Sequence, residues 1–145
     1  MVGGLNNVNV LDCTLRDGGY VNNWEFNKYT STHIMDSLYS SGIRCIEIGL
    51  LGKGGQPGNC TKFSSFMEMG QLLEGRKPDC RYAVMVTQTD ADQFEIPVRC
   101  EDTVDIIRIA FFKNELSGAI AFAVELLQKG YEVFLQPMAT FMYTP

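Results

Sequence analysis

Several things are scarce in this sequence, and each scarcity excludes something. No apolar run is long enough to span a bilayer. The opening residues Met1-Val2-Gly3-Gly4-Leu5-Asn6-Asn7 carry no basic region ahead of an apolar stretch, so no secretory signal is expected. Positive charge is in the minority: 12 Lys and Arg stand against 17 Asp and Glu, a net charge of −5. Nucleic acid and anionic membranes select a basic face, so neither is expected as a partner. The five cysteines are odd in number and no two form a C-x-x-C pair. They read as reduced thiols of a cytoplasmic protein. The only histidine, His33, lies in a helical stretch and reads as a surface or packing residue.

What is present is ordinary for a globular domain: 145 residues, 46% apolar and 20% charged. The periodicity alternates between strand and helix. Candidate strands cover Val8–Leu15, Arg44–Leu51, Arg81–Thr87, Val104–Phe111 and Tyr131–Pro137. Candidate helices cover Asn27–Ser41, Phe63–Leu73 and Leu116–Lys129. Ile34, Met35 and Leu38 mark the buried face of the first helix; Ile120, Ala123, Val124 and Leu127 mark that of the last. Asp90–Arg99 is ambiguous because Pro97 permits only a short helix before it. The glycine-rich stretch Gly52–Asn59 lacks a phosphate-loop pattern and reads as a loop over a site mouth. Nothing divides residues 1–145 into two domains.

Repeated strand–helix units predict an α/β fold with a parallel sheet. Two architectures fit, an open doubly wound sheet and the N-terminal part of an eight-stranded (β/α) barrel. A full barrel takes about 250 residues; five strands make an incomplete one. Alternation puts Leu11, Cys13 and Leu15 on one face of the first strand and Asp12, Thr14 and Arg16 on the other. Ile46, Ile48 and Leu50 oppose Glu47, and Ile107 and Ile109 oppose Arg108. One greasy face and one face with polar groups favours the barrel.

Barrel enzymes place their chemistry at the C-terminal ends of the strands. Arg16, Asp17, Glu47, Arg108 and Gln136 collect there, with Asp12 and Thr14 deeper. Converging charges of both signs form either a paired network or a site for a charged ligand. Asp17 is a hard oxygen donor suited to Mg²⁺ or Mn²⁺. Arg16 is a planar fork for a carboxylate or oxyanion.

The string Asp12-Cys13-Thr14-Leu15-Arg16-Asp17-Gly18-Gly19, continued by Tyr20-Val21-Asn22-Asn23-Trp24-Glu25-Phe26, resembles the first-strand motif of the metal-dependent lyase and aldolase barrels related to hydroxymethylglutaryl-CoA lyase. It is most similar to the bacterial 4-hydroxy-2-oxovalerate aldolase-like branch. Ile46-Glu47-Ile48-Gly49, Ile106-Ile107-Arg108-Ile109-Ala110 and Gln136-Pro137-Met138 follow in the family's order.

The resemblance implies a divalent-metal-dependent carbon–carbon lyase acting on a small 2-oxo acid. Asp17 matches the family's metal ligand. Arg16 matches the residue that stabilises the enolate. Glu47 matches an acidic group beside the metal, in an acid–base or supporting role, and Arg108 and Gln136 are pocket residues by strand position. The family's His-x-His ligands would lie beyond Pro145, so Mn²⁺ or Mg²⁺ is expected to bind weakly or not at all, and the isolated chain is expected to be inactive.

Two other readings compete. One is a flavodoxin- or receiver-like binding module, weakened because the third strand ends Met85-Val86-Thr87-Gln88 without an acceptor aspartate. The other is a non-catalytic half-barrel that forms a homodimer through its open edge.

Overall fold

A computed structural model describes residues 9–54 and 61–143. Five strands form one sheet: β1 (Cys45–Leu51), β2 (Lys62–Phe63), β3 (Arg81–Thr87), β4 (Ile106–Phe111) and β5 (Glu132–Pro137). The order is β2-β1-β3-β4-β5 and every pairing is parallel. The helices are α1 (Thr14–Asp17), α2 (Gly19–Asn22), α3 (Lys28–Ser40), α4 (Phe66–Leu73) and α5 (Leu116–Gln128).

Local sequence explains most boundaries. Asn27 caps α3 by accepting the Thr30 N–H at 2.8 Å. Gly42, with φ +94°, lets the chain turn out of that helix toward β1. Glu68 reaches back from the first turn of α4 to the Ser64 backbone N–H and hydroxyl, at 2.8 and 2.7 Å. Residues 88–93, in the ambiguous stretch, make a short 3₁₀ turn.

Three expectations are corrected. The first candidate strand shrinks to a single bridge between Asp12 and Ile46; Val8 lies outside the described residues. The Asp12 carboxylate accepts the Thr14 N–H at 2.9 Å, and this local bond turns the chain into α1 in place of a strand ladder. Phe63, expected to open the second helix, instead lies in β2 and with Lys62 pairs with Leu51 and Leu50; the helix begins at Phe66. Thus β1 is flanked by Asp12 at its lower half and by β2 at its upper half.

The third correction concerns α5. Its buried face is Ala119, Ala123 and Leu126, while Ile120, Val124 and Leu127 are about half exposed. Much of this helix is apolar, so periodicity alone admitted more than one stripe. The small Ala face lets the helix approach the sheet closely and turns the larger side chains outward. Ile34, Met35 and Leu38 of α3 do pack into the core as expected.

The main core lies between the helices and one face of the sheet. Ile46, Ile48, Leu51, Val84, Val86, Ile107 and Ile109 meet Met35, Met69, Leu72, Leu73, Ala123 and Leu126 there. Among the described residues the other face carries no long helix. This one-sided cover separates the fold from the flavodoxin type, which shares the strand order but has helices on both faces. A barrel wall is covered on one side only. The sheet is open at β5, whose neighbours among the described residues lie on the β4 side alone. No described helix is long and apolar enough to cross a membrane.

Candidate active site

The face without helices is layered. At the N-terminal ends of the strands Cys45, Ala83 and Ile106 pack with Leu11 and Phe134. One step along lie Glu47, Arg108 and Gln136. Beyond them Leu50, Met85 and Ala110 pack with Trp24 and Met138. A charged layer is therefore held between two apolar ones.

A β-bulge makes this layering possible. Glu47 and Leu50 would face opposite ways in a regular strand. The register of β1 against β3 shifts between them and returns Leu50 to the face of Glu47. Leu51 is sent to the helix side, against the core residues near Phe63. The expectation that Leu50 shares a face with Ile46 and Ile48 fails for this reason.

Glu47 is fully buried and engages two arginines. Its Oε1 accepts Arg16 Nε at 2.7 Å and Arg108 Nη2 at 2.5 Å, and its Oε2 accepts Arg108 Nε at 2.7 Å. Arg108 Nη1 also donates to Gln136 Oε1 at 3.3 Å. Arg16 pairs in addition with Asp17, which is largely exposed. A buried carboxylate is costly unless paired, and two guanidinium forks supply what water would have supplied. Arg16 is itself partly buried, which opposes its charge, but the bond to Glu47 and the charges of Glu47 and Asp17 outweigh this and raise its pKa.

All five candidate residues therefore come together. Their depth differs from the expectation: Glu47 and Arg108 sit mid-strand, while Thr14 is exposed and turned aside in α1. Asp12 spends its carboxylate on Thr14, at 2.9 Å to the N–H and 3.2 Å to the hydroxyl.

Sequence reasoning missed two residues. Cys13 was assigned to the apolar face, yet its Sγ lies 3.8 Å from Arg108 Nη2. Strand alternation stops applying where α1 begins. The Asp-x-Thr capping pattern at Asp12 and Thr14 was the available signal. Burial, reinforced by the Glu47 charge, raises the Cys13 pKa and keeps it a neutral thiol. Trp24 is the other. It is 8% exposed and forms the roof of the charged layer. Asn23 and Trp24 both adopt left-handed backbone, φ 55° and 64°. Such conformations cost about 1–3 kcal/mol each and collect at functional sites.

The Asp17 carboxylate can supply one metal ligand. Among the described residues no three His, Cys, Asp or Glu side chains converge as a metal site. The donors among the described residues do not by themselves fit Mn²⁺ or Mg²⁺, which take several oxygens. His33 is exposed on α3, stacked on Tyr29 and remote from the charged layer.

No family model matches this sequence, and no curated protein matches it. Among solved structures, it is similar to one titled "the N-terminal domain of a putative aldolase" from Bacteroides vulgatus. The TM-score is 0.68 at 26% identity, over 92% of this chain and 46% of that one. This chain thus spans about half the length of the structure it matches. The class defined by fold and likeness is an open, parallel α/β domain similar to an aldolase's N-terminal domain.

Proposed function

We propose that this domain carries the oxyanion-binding part of an aldolase or lyase site for a 2-oxo acid such as 4-hydroxy-2-oxovalerate. The observation that supports it best is the convergence of Arg16 and Arg108 on one buried carboxylate, in a sheet similar to that aldolase domain. The hydroxymethylglutaryl-CoA lyase-like motif over residues 12–19 agrees with it.

In a retro-aldol cleavage a general base takes the 4-hydroxyl proton, the O–H pair becomes the aldehyde C=O bond and the C3–C4 bond breaks. The electron pair moves to the C2 carbonyl oxygen, leaving an aldehyde and the enolate of pyruvate. Arg16, in α1 and anchored by Glu47, would stabilise that oxygen as charge develops on it. Arg108, held by Glu47 and Gln136, offers a second cation toward the substrate carboxylate. Glu47 has both oxygens occupied by guanidinium groups, which favours a positioning role over proton transfer. A divalent metal would polarise the C2 carbonyl when bound, with Asp17 as its single ligand from the described residues. One carboxylate with waters is a weak site, and activity of the chain alone is therefore expected to be absent or very low.

The test is Mn²⁺-dependent pyruvate release from 4-hydroxy-2-oxo acids by the longest protein that contains this chain, with Arg16→Ala and Asp17→Asn as controls. Activity that survives both substitutions rejects the reading. A second reading, a non-catalytic half-barrel that self-associates, is favoured by one observation: Leu116, Ile120, Val124 and Leu127 of α5 and Leu135 of β5 are each more than 40% exposed beside the open edge.

A further inference from the structure

We propose that Thr61 is a positioning residue for the candidate site: its buried hydroxyl holds the Leu15 carbonyl and so fixes how Arg16 and Asp17 leave α1. The placement stands on contacts alone; its catalytic consequence rests on the aldolase reading above.

A break in helical bonding creates the need. In α1 the carbonyls of Cys13 and Thr14 accept the N–H groups of Asp17 and Gly18, and in α2 those of Gly18 and Gly19 accept from Asn22 and Asn23. The Leu15 carbonyl falls between these two sets and has no helical partner. Leu15 is fully buried, where an unpaired carbonyl is costly. Its donor among the described residues is the Thr61 hydroxyl at 2.9 Å, on a side chain that is itself wholly shielded. The carbonyl belongs to the peptide that leads into Arg16, so the bond grips the base of that side chain. Glu47 holds the other end, at 2.7 Å to Nε. With both ends held, the exposed Asp17 does not draw the guanidinium away from the charged layer.

Thr61 is in turn fixed through its own backbone. Its N–H donates to the Trp24 carbonyl at 3.2 Å, and its carbonyl accepts the Leu50 N–H at 2.9 Å. Three bonds therefore tie α1, the turn at Trp24 and β1 to one residue. Gly49 makes the approach possible: a Cβ there would overlap the Thr61 carbonyl oxygen and the Phe63 ring. This accounts for the glycine that ends Ile46-Glu47-Ile48-Gly49, inside the bulge that turns Leu50. Arg108 reaches Glu47 from β4 and depends on none of these bonds, which makes it an internal control.

Hydrogen exchange at the Arg16 and Arg108 Nε–H groups, followed by NMR of the 145-residue chain, tests the placement without any assay of activity. Thr61→Val keeps the shape and removes the hydroxyl. It is expected to speed exchange at Arg16 about tenfold and to leave Arg108 within about twofold. Thr61→Ser, which restores the hydroxyl, is expected to return Arg16 to the wild-type rate. Equal acceleration at both arginines means general loosening and overturns the proposal, as does no change at Arg16. Should Thr61→Val fail to fold, the wild type decides. There the Thr61 hydroxyl and the Arg16 Nε–H are expected to exchange with one common urea dependence, and different slopes overturn the proposal. In the longest protein that contains this chain, Thr61→Val is expected to lower kcat for cleavage about tenfold with KM within about twofold, and Thr61→Ser to recover it. An unchanged kcat in a Thr61→Val protein whose Arg16 exchange has quickened overturns the use of Arg16 in the aldolase reading and upholds the positioning.

Discussion

Glu47 grips the fork of Arg108 with both carboxylate oxygens, at 2.7 Å to Nε and 2.5 Å to Nη2, while being wholly shielded from solvent. Removing one partner of such a pair strands a buried charge, at about 3–5 kcal/mol. Glu47→Gln and Arg108→Met are each expected to lose stability of that order in urea denaturation. The double variant is expected to lose clearly less than the sum. Additive losses would show that the two side chains do not act as a unit.

Arg16 differs from Arg108 in being tied to the exposed Asp17 as well as to Glu47. On the proposed aldolase reading, Arg16→Ala in the longest protein that contains this chain is expected to cut cleavage on the order of 10²-fold or more in kcat, with a smaller change in KM. Arg16→Lys restores charge but not the fork and is expected to recover only part of the loss. Equal kcat for wild type and Arg16→Ala would remove Arg16 from the chemistry.

Asp105 anchors the opposite end of the sheet. Its carboxylate accepts Arg76 at 2.7 Å, Arg99 at 2.5 Å and the Tyr82 backbone N–H at 2.9 Å. Burial opposes its ionisation, but the Tyr82 bond and the two arginines outweigh burial and lower its pKa. A lowered folded-state pKa means that the stabilisation is complete above the ordinary carboxylate range near 4, and is lost as pH falls through the folded value. Wild type is therefore expected to lose stability below about pH 4. Asp105→Asn is expected to be less stable at pH 7 and to show a shallower acid limb. Parallel acid limbs for the two proteins would contradict this assignment.

The exposed apolar residues on α5 and the unpaired edge of β5 lead to a concentration-dependent prediction. Light scattering coupled to size exclusion is expected to show self-association of the chain at high concentration. Ile120→Lys with Val124→Glu is expected to abolish it while changing stability by no more than about 0.5 kcal/mol per site, since both side chains are half-exposed. A clean monomer at all concentrations would count against the dimer.

The described cysteines are free thiols in different settings: Cys100 exposed, Cys13 half-buried, Cys45 and Cys80 buried. Burial pushes Cys45 up to about 11. Titration with a thiol reagent at pH 7.5 is expected to label Cys100 first and Cys13 slowly, with Cys45 and Cys80 reacting only on unfolding. A fast second thiol that disappears in Cys13→Ser would show that Cys13 is more ionised than its surroundings imply.

Most of the strand–helix order was determined by the sequence alone, because periodicities of two and 3.6 are local properties. Arg81–Thr87 forms a strand with the expected ends, and α3 and α5 begin and end within one residue of theirs. The candidate site residues were also legible, since charges that recur at one level of successive strands in a parallel sheet must converge. Tertiary structure decided the rest. The bulge between Glu47 and Leu50 turned Leu50 inward, and the Asp12 cap ended the first strand and brought Cys13 to Arg108. The small Ala face of α5, not its largest side chains, was chosen for burial, because close approach to the sheet outweighs side-chain size. Trp24 reached the site only through a left-handed turn that no periodicity encodes. Each of these depends on which surfaces are in contact, and a linear pattern of residue types does not carry that information.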